Sequence, residues 1–154
     1  MGTYQSNYTG AQIDEAIAKV LAGKDSIHCN INGSWSTVAN TWVPLKKMSG
    51  SLSISNGRIV IPKGKRVQIN VGLYASNGQA RRQACEYQIK NYTSNTVIQN
   101  FSFMVGDTEY EFLPFTACQY ENNTNGDVEI GLYCTNVYTS GGLSTYSYIT
   151  VQEI

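Results

Sequence analysis

Residues 57–76, GRIVIPKGKRVQINVGLYAS, decide the fold class. Ile59 and Ile61 alternate with Arg58 and Val60 up to Pro62, which has no N–H to give to a strand ladder. Beyond Gly64, Val67, Ile69, Val71 and Leu73 form one row, while Gln68, Asn70 and Tyr74 point the other way. A period of two is the signature of a strand with one face buried and one face wet.

Working outward, the same alternation recurs. Cys85, Tyr87 and Ile89 make one row, Val128, Ile130, Leu132 and Cys134 another, and Ile149 and Val151 close the chain. Asn-Gly pairs punctuate the rows at 32–33, 56–57, 77–78 and 125–126. Both residue types tolerate positive φ, so each pair marks a tight turn. Many short alternating strands separated by turns imply an all-β, antiparallel sandwich or jelly roll.

The pattern changes upstream. Residues 8–24, YTGAQIDEAIAKVLAGK, read as a helix over about 10–22. Thr9 and Gln12 make a capping box, Tyr8 and Ile13 a staple, and Gly23 is placed as the C′ residue. Ile13, Ile17 and Val20 form a seam at spacings of four and three. A helix this short needs a partner, either two sister helices or the domain surface. The expected organisation is a linker and trimerisation segment at 1–24 and a head domain at 25–154.

Composition narrows the function. Charged residues are 14% of the chain, against about 25% in ordinary soluble domains, and Tyr is abundant at 11 copies. The formal net charge of zero hides an asymmetry: residues 26–85 hold eight bases and no acid, while residues 86–154 hold eight acids and one base, Lys90. Complementary pairing inside one domain or between subunits is the simplest reading. A basic patch for an anionic polymer is the alternative. Balanced charge without a recognition motif argues against nucleic acid. No stretch is long and apolar enough to insert in a membrane. Cys29, Cys85, Cys118 and Cys134 match no zinc spacing, so reduced buried thiols are expected. Cys85 and Cys134 fall on core faces, which leaves a bridge between them open.

The segment from Ser51 to Ile154 resembles the tumour-necrosis-factor-like jelly roll, the fold of complement globular heads. The resemblance is carried by GRIVIPKGKRVQINVGLYAS, ACEYQIKN, NTVIQNFSFMV, EYEFLPFTACQY, NGDVEIGLY and STYSYITVQEI in that order. YTGAQIDEAIAKVLAGK resembles a linker helix of structural proteins from phages of Gram-positive bacteria, where it precedes a terminal fibre or receptor-binding head. Together these imply a homotrimer, with one sheet and the helix near the threefold axis. On that resemblance Tyr146 and Tyr148 go to the subunit interface with Ile13, Ile17 and Val20. Tyr74 and Tyr133 are further outward-phase tyrosines that need a partner surface.

Catalytic signals are sparse. His28 is the only histidine, and no nucleophile elbow, P-loop or dinucleotide fingerprint appears. Glu109 and Glu111 read as an acidic strand face, with a cation site including Asp107 or a carboxylate pair as lesser readings. No catalytic residue, metal or cofactor is expected. Trp35 and Trp42 could stack on sugar rings but read first as packing at the domain entry. If the C-terminus lies near the stalk, the far end carries the loops with Asn77, Gln79, Arg81, Arg82, Asp107, Tyr138 and Ser140. Of these, Asn77, Arg81, Arg82, Asp107 and Tyr138 are the candidate ligand-binding residues. The expectation is therefore a trimeric, non-enzymatic virion protein of a phage tail, baseplate or head fibre. It would be made in the bacterial cytoplasm, held to other virion proteins by its N-terminal segment, and directed at a host-surface partner such as a saccharide. A bacterial carbohydrate-binding or adhesive module outside any virion is the alternative.

Overall fold

The computed structural model describes residues 9, 14, 23–33, 35–36, 39–76, 83–105, 111–137 and 142–154. The helix expected over 10–22, with Ile13, Ile17 and Val20, lies outside them apart from the exposed Asp14. Gly23 has φ of +72°, the left-handed conformation that a C′ glycine takes.

The strands are β1 (Ser26–Ile31), β2 (Trp35–Ser36), β3 (Thr41–Trp42), β4 (Leu45–Gly50), β5 (Ile54–Ser55), β6 (Arg58–Ile61), β7 (Arg66–Ser76), β8 (Gln83–Asn91), β9 (Thr96–Val105), β10 (Glu111–Glu121), β11 (Val128–Val137), β12 (Gly142–Leu143) and β13 (Tyr148–Glu153). They form two antiparallel sheets. In the seven-stranded sheet β4, β1, β13, β7 and β10 lie side by side, with β2 and β12 extending it. In the six-stranded sheet β5, β6, β11, β8 and β9 lie in order, and β3 pairs with the end of β11. The result is a jelly-roll sandwich.

The predicted rows are the facing surfaces of that sandwich. Val67, Ile69, Val71 and Leu73 are buried from β7, joined by Ile27, Cys29, Ile31, Ile149 and Val151. Ile59, Ile61, Tyr87, Ile89, Val128, Ile130, Leu132 and Cys134 meet them from the other sheet. Each such aliphatic side chain stabilises the fold by about 1.5–3 kcal/mol relative to exposure. Cys29 and Cys118 are free thiols, while the side chain of Cys85 lies outside the described residues.

The Asn-Gly pairs divide. Asn56 and Gly57 have φ of +48° and +74° and join β5 to β6 directly, with Ser55 opposite Arg58. That is the two-residue turn whose twist matches its strands. Asn125 and Gly126 keep ordinary φ instead. Their loop is organised by the fully buried Asn122, which donates to the carbonyls of Ile61 and Gly126 at 2.9 Å each and accepts from Thr124. β10 tolerates Pro114 because its register with β7 slips between Leu113 and Thr116.

The two ends of the sandwich differ. At the base, Glu153 N–H donates to the Asp25 carbonyl at 2.8 Å, so the entry and exit of the domain are adjacent. Lys65 binds both residues, at 2.8 Å to Glu153 and 3.0 Å to Asp25. At the opposite end Ser76, Glu111 and Gly142 meet on one sheet, through pairs with Ala75 and Ser76. Gln83 and Val105 pair on the other sheet, beside Val137. The charge asymmetry resolves partly within the domain: Lys65 and Arg58 of the basic stretch pair with acids from elsewhere in the chain.

Candidate binding surfaces

The segments expected to bind a ligand, with Asn77, Gln79, Arg81, Arg82, Asp107, Tyr138 and Ser140, lie outside the described residues, as does Glu109. The strand ends that flank them, Ser76 and Gln83, Val105 and Glu111, Val137 and Gly142, come together at the end opposite Asp25 and Ile154. Strand parity anticipates that convergence. Among the described residues no group of three or more His, Cys, Asp or Glu side chains is placed to hold a metal ion.

The outward face of the seven-stranded sheet is polar without being charged at its centre. β7 contributes Gln68, Asn70 and Tyr74, β13 contributes Tyr148, Thr150 and Gln152, and β1 contributes His28 and Asn30. Asn70 Nδ2 lies 3.3 Å from Thr150 Oγ1, and His28 Nε2 lies 2.8 Å from Asn30 Oδ1. Formal charges sit at the margins, with Arg66 at the base and Lys46 on the outer strand β4. Tyr148 lies across Gly72, 5.8 Å from the His28 ring between centroids. Tyr146 belongs to the turn before β13 rather than to the strand, where its ring is 74% exposed and 6.3 Å from that of Tyr74. Both tyrosines assigned to an interface thus stand on this face or at its edge.

The outward face of the six-stranded sheet has the opposite character, since it mixes charges of both signs with aromatic rings. Trp42 on β3 sits opposite Tyr133 on β11, and their rings meet edge-on at 5.1 Å. Tyr92, just past β8, meets the Trp42 ring edge-on at 5.4 Å. The Arg58 guanidinium stacks 3.7 Å from the Tyr92 ring centre and bonds Glu129 at 2.7 Å. Lys90 Nζ stands 4.5 Å from the Tyr133 ring centre. A Ser55 hydrogen bond and then Arg58 hold the Glu129 carboxyl below its ordinary range. Tyr133 therefore finds its partners within its own chain.

This grouping goes beyond the sequence reading, which places Trp42 in packing and leaves Tyr92 and Arg58 unassigned. The available signal is Gly131, a glycine at an outward position in the otherwise regular row of β11. A β-carbon there would stand 3.3 Å from the Trp42 ring and from Arg58 Cγ. A glycine on the wet face of a strand marks a close approach by another group.

No family model and no curated protein sequence matches the chain. Solved structures do. Murine APRIL, at pH 5.0, is similar with a TM-score of 0.62 at 9% identity, over 85% of this chain and 99% of that one. Eiger TNF from S. frugiperda is similar with a TM-score of 0.63 at 12% identity, over 86% of this chain and 93% of that one. At such identities the likeness establishes the fold, a tumour-necrosis-factor-like jelly roll, and leaves function to be argued from the surfaces.

Proposed function

We propose that the chain is the head of a trimeric, non-enzymatic fibre that attaches a phage virion to a host-surface partner. The observation that carries this reading is the uncharged face of the seven-stranded sheet. Eight outward residues on three adjacent strands carry no formal charge in a chain that places charges freely on its other face. Aromatic and amide groups of this kind suit an interface that excludes charge at its centre. In line with the resemblance to trimeric heads, we take that face to line the threefold axis, with Tyr148 and Tyr146 against sister subunits and Ile13, Ile17 and Val20 proposed to continue the axis as a helix.

In such a trimer the base, where Asp25 and Ile154 lie, faces the virion. The opposite end, with the loops of Asn77, Arg81, Arg82, Asp107 and Tyr138, faces the host. Arginine, asparagine and tyrosine there suit a polar saccharide, through planar hydrogen bonding and stacking.

Sedimentation equilibrium and native mass spectrometry test the assembly. The expected species is a trimer, and Thr150→Asp, which places three carboxylates on the shared face, dissociates it. A folded monomer at micromolar concentration overturns the reading. Adsorption of the purified head to bacterial cells, lost on Arg81→Ala with Arg82→Ala, tests attachment.

A further inference from the structure

The aromatic cluster on the six-stranded sheet points away from the proposed axis. We propose that Trp42, Tyr92 and Tyr133, with Arg58, Glu129 and Lys90 at their rim, form a second, lateral binding site for a saccharide.

The geometry supports a rigid platform. Trp42 is held edge-on between two tyrosine rings at 5.1 and 5.4 Å, over the space left by Gly131. Arg58 is fixed by Glu129 at 2.7 Å and stacks on Tyr92. Tyr92 nevertheless keeps 48% of its surface exposed. Rings locked in advance lose little conformational freedom when a ligand stacks on them.

The chemistry selects the ligand. A cationic ligand meets rings already served by cations, since Arg58 occupies Tyr92 and Lys90 lies over Tyr133. A polyanion meets a guanidinium already answered by a carboxylate. A protein partner of ordinary size needs an apolar core, and among the described residues the exposed aliphatic side chain beside these rings is Val97, opposite Lys90. A sugar ring fits what remains. Its C–H face packs on the exposed part of Tyr92, and its neutral hydroxyls share the rim of Glu129, Arg58 and Lys90 without having to displace the ion pair or the cations on the rings.

The test is an array of bacterial surface saccharides, followed by calorimetry with the oligosaccharide that binds best. Tyr92→Phe keeps the ring and is expected to bind within about twofold of the parent. Tyr92→Ala is expected to lose about tenfold, equivalent to about 1.4 kcal/mol. Because Tyr92 is half-exposed, its loss leaves the core intact, and circular dichroism verifies that. Silence across the whole array overturns the proposal, as does a Tyr92→Ala protein that binds like the parent. The readout uses neither assembly nor cell adsorption. A monomer that binds through Tyr92 sinks the fibre reading alone, while a trimer whose saccharide binding is unchanged by Tyr92→Ala sinks this one alone.

Discussion

The ring of Tyr148 lies across Gly72, its cross-strand neighbour, so closely that a β-carbon on Gly72 would stand 2.5 Å from the ring. The contact matters for the face proposed for assembly, because the ring occupies the space that any side chain on Gly72 would need. Gly72→Ala forces Tyr148 up or aside. The expected outcome is a destabilisation of about 1–3 kcal/mol, the range for overpacking, read as a lower urea midpoint. Subunit affinity should fall as well, measured by sedimentation equilibrium. A variant as stable and as associated as the parent would show that neither packing nor assembly uses this contact.

How much of this was legible beforehand depends on distance along the chain. The rows of β7 and β11 were readable because period two is a local property, and every inward residue of those rows is buried. The turn at Asn56-Gly57 was readable for the same reason. Asn125-Gly126 marks a loop between strands as expected, but its φ values are not legible, because a buried side chain three residues earlier sets that loop and dipeptide statistics do not see it. The last strand starts later than the run STYSYITVQEI suggests, since the turn from Ser144 to Ser147 leaves the exposed Tyr146 ahead of β13. The aromatic platform was beyond local reading altogether. It depends on Trp42 pairing with Tyr133 and on Arg58 reaching Glu129, registers that only the closed sandwich creates.

Asn122 offers a sharper stability test. It is fully buried, and its amide satisfies two carbonyls while its oxygen accepts from Thr124. Asn122→Ala leaves the Ile61 carbonyl without that donor. A buried group left unmatched costs about 1–3 kcal/mol, so thermal unfolding should drop by several degrees. An unchanged melting temperature would mean that water replaces the amide.

The thiols predict a reactivity pattern. Burial pushes Cys29 up to about 11 and also raises Cys118. At pH 8 a thiol titrating near 11 is only ~0.1% thiolate, and the thiolate is the reactive form. Iodoacetamide should leave Cys29 unmodified in the native protein and label it in urea, as peptide mass spectrometry would record. Fast native labelling of Cys29 would contradict its burial.

The base makes a prediction about pH, and its sign follows from the groups involved. Lys65 and the backbone N–H of Asp25 hold Glu153 below the ordinary carboxylate range, while Ser51 and Lys65 hold Asp25 below it. Glu153 and then Asp25 raise Lys65. A depressed carboxylate contributes stability above its unfolded value and loses it as pH falls through its folded value. A raised lysine contributes below its unfolded value and loses it only as pH climbs through the folded one. The clasp is therefore fully effective from about pH 5 to pH 10 and fails at either extreme. Lys65→Met removes it. Since these groups are about a third exposed, the difference at pH 7 should be roughly 1 kcal/mol or less. The parent and Lys65→Met should converge in urea midpoint as pH falls toward 3, because protonated carboxyls no longer attract the lysine. A gap that stays constant down to that pH would mean that Lys65 acts through the packing of its stem, and that the termini are joined by backbone hydrogen bonds alone.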